Sequence, residues 1–317
     1  MNRVHIIMAS YNGEKYIKEQ IESIISNTYS DWTLTIFDDG SKDATCQIVT
    51  EYEVAYPNKI KLIKNQQNKG VTKNFLTGVC QIQVDERHNN YYMFCDQDDV
   101  WMKDKIENTL KSMKKLEGRY NNCPLVVFSD TTVVDEHLTV TEPSFFKNSG
   151  LEPRHTKLND LLIENKLIGC TVMFNEEVRR KLVSLPQQQA FPKEIRFHDW
   201  WIGLIASSFG HIYYMDRPTL YYRQHGKNVV GNKSFFEYVK KSFLSLSKQK
   251  KALEETILQG KAFLELYGDE LSIEKKEIVS HFSKLSSYGF VKKRRVLLKY
   301  RFSKTGILRN VGVFLLI

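Results

Sequence analysis

Three carboxylates crowd into four positions where an apolar segment stops. The stretch YYMFCDQDDVW (91–101) runs through five residues of buried type and then sets down Asp96, Asp98 and Asp99. Carboxylates this close repel one another and raise each other's pKa, so a compensating partner is required: a neighbouring lysine, bulk water or a metal ion. Carboxylate oxygens suit Mg2+ or Mn2+. A calcium-binding EF-hand loop does not fit. With Asp96 at the first position, Val100 stands at the fifth and Trp101 at the sixth, where that loop needs glycine.

Two other polar clusters end apolar runs in the same way. Ser10-Tyr11-Asn12 follows VHIIMA (4–9), and Asp38-Asp39-Gly40-Ser41 closes TLTIFDDGS (33–41). A lone acidic residue after a strand serves as a helix N-cap about as often as a ligand, and a cap is a plain reading of Asp38-Asp39. The shared position of all three clusters carries more weight than any one of them.

The elements that must position these clusters alternate. Strand-length apolar runs at 4–9, 33–39, 59–65 and 91–95 are separated by helical spacing. Ile17, Ile21, Ile24 and Ile25 mark a first helix, and Ile48, Val49 and Tyr52 a second that Ser41 could cap. Residues 71–84 make a third and 103–116 a fourth. This βαβα order predicts an α/β fold, a mostly parallel twisted sheet flanked by helices on both faces. In such sheets ligands bind beyond the carboxyl ends of the strands, where the three clusters lie. No G-x-G-x-x-G follows the first strand and no Walker A lysine motif is present, so the phosphates of a nucleotide fall to metal and side chains. Further on, 125–130, 171–175, 211–216 and 219–224 read as strands and 200–206 as a helix. From Phe235 only helical spacing remains, with a boundary near Lys233.

With 317 residues, 42% of them hydrophobic, the chain is of a size for one large domain or two smaller ones. No apolar run is long enough to span a bilayer, and none near Met1 is long enough for a signal peptide. Five widely spaced cysteines without a Cys-x-x-Cys pair argue against a disulfide framework or a structural zinc site and fit a reducing cytoplasm. The net charge of +9 is uneven. Residues 232–317 carry 18 Lys and Arg against 8 Asp and Glu, and from Lys284 to Ile317 there are 9 basic residues and no acidic one. That asymmetry predicts an anionic partner surface. In SYGFVKKRRVLLKYRFSKTGILRNVGVFLLI (287–317) the basic residues interleave with Leu, Ile, Phe and Tyr, which as a helix gives one apolar and one cationic stripe. Such a helix lies in the plane of an anionic membrane. A helix packed on the catalytic domain with its lysines in water is the plainer reading. No nucleic-acid-binding motif accompanies the charge.

The order IIMASYNGEKYIKEQIESIISNTYSDWTLTIFDDGSKD (6–43), NKGVTKNF (68–75) and FCDQDDVW (94–101) resembles the family-2 glycosyltransferases of GT-A fold over about residues 3–116. FHDWWIGLIAS (197–207) and YYRQHGKNVVG (221–231) resemble the bacterial rhamnosyltransferase-like branch, extending the likeness to about residue 231. The resemblance implies nucleotide binding by Ala9, Tyr11, Asp39, Asn68, Lys73 and Asp96. It implies Mn2+ or Mg2+ held by Asp98 and Asp96, with Asp99 in support and His225 reaching the metal or pyrophosphate unless it is a plain loop histidine. Asp199 matches the catalytic base, and His198 stands where the family more often has Glu. Trp200 and His198 are candidates for acceptor contact, while Trp201 reads as core.

Together these features predict a GT-A catalytic domain over 1–232, with a nucleotide-binding half at 1–116 and an acceptor half at 117–232. A helical, basic, membrane-associating region over 233–317 completes the expected chain. The expected activity is inverting, metal-dependent transfer of a sugar, L-rhamnose from dTDP-rhamnose, to a cell-surface polysaccharide or lipid-linked precursor. It is expected at the inner face of the cell membrane, and homo-oligomers are left open. A UDP-hexose donor is the nearest alternative; a metal-dependent phosphohydrolase or nucleotidyltransferase, and a non-catalytic binder of anionic surfaces, are the others.

Overall fold

A computed structural model describes residues 1–185, 191–225 and 246–317. These residues group into two compact units whose segments interleave in sequence. The first is built from Met1–Phe145, Ile168–Phe191 and the strand that begins at His211; the second from Phe146–Leu167, Pro192–Gly210 and the helices from Leu246 onward. The boundary expected near Lys233 lies outside the described residues.

The first unit holds a nine-stranded sheet among the described residues: β1 (Asn2–Ser10), β2 (Trp32–Asp38), β3 (Ile60–Lys64), β4 (Asn89–Cys95), β5 (Val100–Trp101), β6 (Leu125–Val134), β7 (Val140–Glu142), β8 (Met173–Asn175) and β9 (His211–Arg223). The order is β3-β2-β1-β4-β8-β6-β9-β5, with β7 on the side of β6. The first four strands are parallel, as the βαβα rhythm predicts. β8 then enters antiparallel between β4 and β6, so the sheet is mixed beyond that point.

Alternation along the strands assigns the two faces. Val4, Ile6 and Met8 of β1 and Tyr91, Met93 and Cys95 of β4 share a core with Ile17, Ile21 and Ile24 of α1 (Ile17–Ile25) and with Ile106, Leu110 and Met113 of α4 (Lys105–Glu117). On the other face Phe94 meets Phe75 of α3 (Val71–Gln81) at a ring separation of 5.1 Å and Phe174 of β8 at 5.2 Å. α3 lies so near β1 and β2 that a Cβ on Gly78 would stand 2.9 Å from the Phe37 ring. Each such buried aliphatic side chain contributes roughly 1.5–3 kcal/mol. α2 (Thr45–Ala55) and α7 (Glu176–Val183) complete this unit's helices among the described residues, and the short α5 (Phe145–Ser149) begins at its last residue before the second unit.

Several expectations are corrected. Residues 211–216 and 219–224 form one strand, β9; its register against β6 slips between Ser129 and Asp130, where Pro218 is the partner and brings no N–H to the ladder. Ser41 does not cap α2: its hydroxyl donates to Asp38, and the helix begins at Thr45. The single helix expected over 287–317 is two. In the second unit α6 (Leu158–Ile163), α8 (His198–Phe209), α9 (Leu246–Tyr267) and α10 (Ile273–Ser283) are followed by α11 (Phe290–Lys299) and α12 (Ile307–Leu316). Arg301 and Gly306, with φ of 52° and 82°, break the chain between the last two. No helix among the described residues is long and apolar enough to cross a membrane.

Candidate active site

Parallel register puts three strand ends at one edge. Ser10 pairs with Asp38, and Met8 with Cys95, so the segments starting at Tyr11, Asp39 and Asp96 leave the sheet side by side. Asp38 organises the first crossing. It accepts from Ser10 Oγ at 2.9 Å and from the backbone of Ser41 at 2.9 Å. Burial alone would raise its pKa, but the hydrogen bonds from Ser41 and Ser10 outweigh that and hold the carboxyl below the usual range. Asn12, at φ 49°, gives its N–H to Ser41 Oγ at 2.8 Å. Gln97 grips Tyr11 at both backbone groups, accepting from its N–H at 2.9 Å and donating to its carbonyl at 3.1 Å. A Cβ at Gly13 would stand 2.2 Å from Gln97 Oε1, so a side chain there would push the Gln97 amide off Tyr11. Tyr11 itself is exposed, and Ala9 sits on β1 one residue before Ser10.

Asp39 is buried and shapes the loop that enters α3. Its carboxylate accepts from the backbone N–H of Lys69 at 2.9 Å, of Gly70 at 2.8 Å, and from Asn65 Nδ2 at 3.0 Å. Asn68 donates to the Asp39 carbonyl at 3.0 Å. Asp39 and Asn68 are thus brought together, and Lys73 is exposed on the first turn of α3.

The acidic stretch after β4 is held by a residue that the sequence reading passed over. Antiparallel pairing of Val100 with Tyr221 carries β9 alongside it. Arg223, only 2% exposed, gives its backbone N–H to Asp99 Oδ1 at 3.2 Å and its Nε to the Asp98 carbonyl at 2.9 Å. Its remaining guanidinium nitrogens reach the Glu136 carbonyl at 2.6 Å and the Glu19 carboxylate, and the group lies 4.6 Å from the Tyr16 ring centre. His225 Nε2 then meets Asp98 Oδ2 at 2.7 Å. The guanidinium charge is paired with Glu19, so Arg223 holds the acidic stretch through its backbone N–H and the Asp98 carbonyl and not by neutralising the carboxylates.

Asp96 and Asp99 lie with the Cys170 thiol, their ligand atoms within 4.8 Å of one another. Burial pushes the Asp99 carboxyl well up, with Asp98 and Asp96 adding to the effect, and burial likewise pushes up Cys170. Asp99 Oδ2 is buried without a hydrogen-bond partner. Lys105 is fully buried behind this cluster, donating to the Cys170 carbonyl at 3.0 Å and Thr219 Oγ1 at 3.1 Å. Burial lowers its pKa to about 8. A protonated thiol is a poor ligand for a hard cation, whereas carboxylates with an imidazole suit Mn2+ or Mg2+. Asp96 and Asp99, the latter with its orphaned oxygen, are the carboxylates grouped here and suit a divalent ion, whereas Asp98, expected as its ligand together with His225, is paired with that imidazole and lies outside the group. Arg223, Lys105, Cys170 and Gln97 escaped sequence reasoning. The one signal for Arg223 was a charge at the end of an apolar strand run.

Asp199, His198 and Trp200 belong to the second unit, in the first turn of α8. Asp199 Oδ1 accepts the N–H of Trp200 at 2.7 Å. Burial lowers the His198 imidazole to about 3, so it is neutral at physiological pH. Trp200 is buried, its indole N–H given to the Leu161 carbonyl and its ring faced by Arg196 at 5.4 Å. Trp201 is core, packed on Phe263 at 5.3 Å.

A mixed sheet with ligand loops at one edge and an acidic crossing after β4 is a nucleotide-sugar-binding fold, and the family model for glycosyl transferase family 2 matches residues 5–182. The chain belongs to that family and is a glycosyltransferase. It is 33% identical, over 71% of its length and 73% of the relative, to the dTDP-rhamnosyl transferase RfbG of Shigella flexneri. It is 29% identical, over 47% of its length and 56% of the relative, to the UDP-Glc:alpha-D-GlcNAc-diphosphoundecaprenol beta-1,3-glucosyltransferase WfgD of Escherichia coli. In fold it resembles S. aureus TarS 1-349 in complex with UDP-GlcNAc, with a TM-score of 0.55 and 15% identity, over 95% of this chain and 76% of that one.

Proposed function

We propose that this chain is an inverting, divalent-metal-dependent transferase that moves L-rhamnose from dTDP-rhamnose to a cell-surface polysaccharide or its lipid-linked precursor. The observation that carries the chemistry is the acidic crossing itself. Asp96 and Asp98 leave the sheet beside the Tyr11 and Asp39 loops, and Asp98 is met by His225 from 127 positions away. The likeness to RfbG supports the rhamnosyl donor.

In this reading Tyr11, Asp39, Asn68 and Lys73 line the nucleotide, and Asp96 faces its ribose. Asp96, Asp98 and His225 would hold a divalent ion, which when bound would supply neutralisation of the charge on the departing diphosphate. Arg223 keeps the acidic loop in place. Asp199 takes the proton of the acceptor hydroxyl as it attacks the anomeric carbon from the side opposite the leaving group, which inverts the configuration. The acceptor half over 117–232 and a membrane-associating region over 233–317 belong to the same proposal. The family assignment disfavours the phosphohydrolase, nucleotidyltransferase and non-catalytic readings.

A UDP-hexose donor is the second reading, supported by the UDP-glucose named for WfgD. Thermal shift separates the two. With Mn2+ present, dTDP-rhamnose raises the melting temperature and UDP-glucose does not; a ligand at a hundred times its Kd stabilises by about 2.7 kcal/mol. A response to UDP-sugars alone replaces the donor, and no response to any nucleotide-sugar ends the proposal.

A further inference from the structure

The last helix of the second unit, α12, is turned the wrong way for packing. An amphipathic helix normally lays its apolar stripe on the core and shows its charges to water. In α12 the inward residues are Val313, which is buried, and Arg309, whose guanidinium reaches Glu164 at 3.4 Å and the Ser149 carbonyl at 2.6 Å. Ile307, Leu308, Val311, Phe314 and Leu315, a single stripe by helical spacing, all face solvent, with Ile307 82% and Leu315 71% exposed. On the inward side Arg309 joins Lys166 and the Thr305 N–H around Glu164, so a roll of the helix would take its guanidinium away from that carboxylate and from the Ser149 carbonyl.

α11 presents a matching surface. Val296 and Leu297 are buried, while Phe290, Val291 and Leu298 are exposed, with Arg295 on the same face as the last two. Arg294 locks the two helices side by side. It donates to the Phe314 carbonyl at 2.9 Å, and its guanidinium lies 3.4 Å from the Phe290 ring centre and 5.0 Å from that of Phe314. The two helices thus expose apolar side chains joined through Phe290, Arg294 and Phe314, and Lys284, Lys292, Arg295 and Arg301 of the same stretch are exposed while Lys299 pairs with Glu277 at 3.3 Å.

We propose that this surface, from α11 and α12 together, is a membrane-docking face that inserts its apolar stripe between the headgroups of an anionic lipid leaflet. Charge decides the occupant. Lys284–Ile317 holds nine cations and no carboxylate side chain, and even with Lys299 paired to Glu277 and Arg309 to Glu164, a second copy meeting this face about a two-fold axis would set like charge against like. An anionic lipid surface complements these cations, and the exposed apolar side chains supply the insertion that charge alone does not. The inference deepens the function proposed above, in that a lipid-linked acceptor is met at such a surface, but it stands on residues outside the proposed catalytic set.

The test is flotation of the full chain with vesicles of phosphatidylcholine alone and of phosphatidylcholine with phosphatidylglycerol. The protein floats with the anionic vesicles and not the neutral ones, and raising the salt weakens the binding. Leu308→Glu with Leu315→Glu lowers partitioning about tenfold or more, and Lys292→Glu with Arg295→Glu does the same. Both pairs are exposed, so the melting temperature and its response to nucleotide-sugar stay as in the unchanged protein; that control separates failure here from failure of the donor reading. Equal flotation of the unchanged protein and the leucine variant overturns the proposal. So does a concentration-dependent dimer that the leucine variant abolishes without any vesicle binding, which would assign the face to a second copy.

Discussion

Asp98 and His225 stand 127 positions apart and meet at 2.7 Å, carboxylate oxygen to imidazole Nε2. The contact exists because β9 runs back along the short strand β5 and delivers its C-terminal end beside the acidic loop. Asp98→Asn keeps the shape of the side chain and removes its charge. The expected result is a fall in kcat of about 10²–10³, the size seen when one charge-stabilising group is lost. Chelation should abolish turnover and added Mn2+ restore it in the unchanged protein only. Full activity of Asp98→Asn would remove the acidic loop from the mechanism.

Arg223 positions that loop and touches no reacting atom. Replacement by Met keeps the length and the backbone N–H given to Asp99, and deletes the guanidinium bonds to the Asp98 carbonyl, the Glu136 carbonyl and Glu19. Breaking a buried pair costs ~3–5 kcal/mol, and the loss should fall near the low end because the partner Glu19 is half exposed. Arg223→Lys should recover little, since an ammonium cannot reach the Asp98 carbonyl, the Glu136 carbonyl and Glu19 together. Urea unfolding measures the loss. A donor titration should show the KM for nucleotide-sugar rising more than kcat falls, which a purely structural role would not require.

His5 provides a pH test away from the site. It is buried between Thr33 Oγ1 at 3.0 Å and Asn90 Oδ1 at 2.9 Å. Burial lowers its pKa below the ordinary 6.5, and the Asn90 hydrogen bond only partly opposes this. Above pH 6.5 both folded and unfolded forms are neutral and the contribution is fully present. As the pH falls through 6.5 the unfolded chain takes up a proton that the fold resists, and stability declines. The urea midpoint should therefore drop between pH 7.5 and pH 5, and His5→Gln should flatten that part of the curve. An unchanged slope in the variant would show that other groups set it.

Asp199 and Trp200 separate chemistry from packing on α8. Asp199→Asn should abolish sugar transfer while nucleotide-sugar still raises the melting temperature. Transfer that persists would displace Asp199 as the base. Trp200→Phe removes the N–H given to Leu161 and should cost about 1 kcal/mol of stability. A rise in the KM for acceptor beyond that loss would return Trp200 to the acceptor site.

The residue order by itself determined the parallel first half of the sheet, the helices between its strands, the gathering of Tyr11, Asp39 and Asp96 at one edge, and the basic character of the last helices. All of these derive from local signals: apolar period, turn chemistry and charge counted along the chain. Only the tertiary structure decided that Arg223 sits beneath the acidic loop, that Lys105 and Cys170 are sealed behind it, and that α12 shows its apolar stripe to solvent. The antiparallel entry of β8 and the single strand across Pro218 belong with these. Each depends on contacts between segments far apart in sequence, as when Arg309 meets Glu164 on the inward side of α12. Periodicity tells which side of a helix is apolar, and the partner it finds decides which way that side turns.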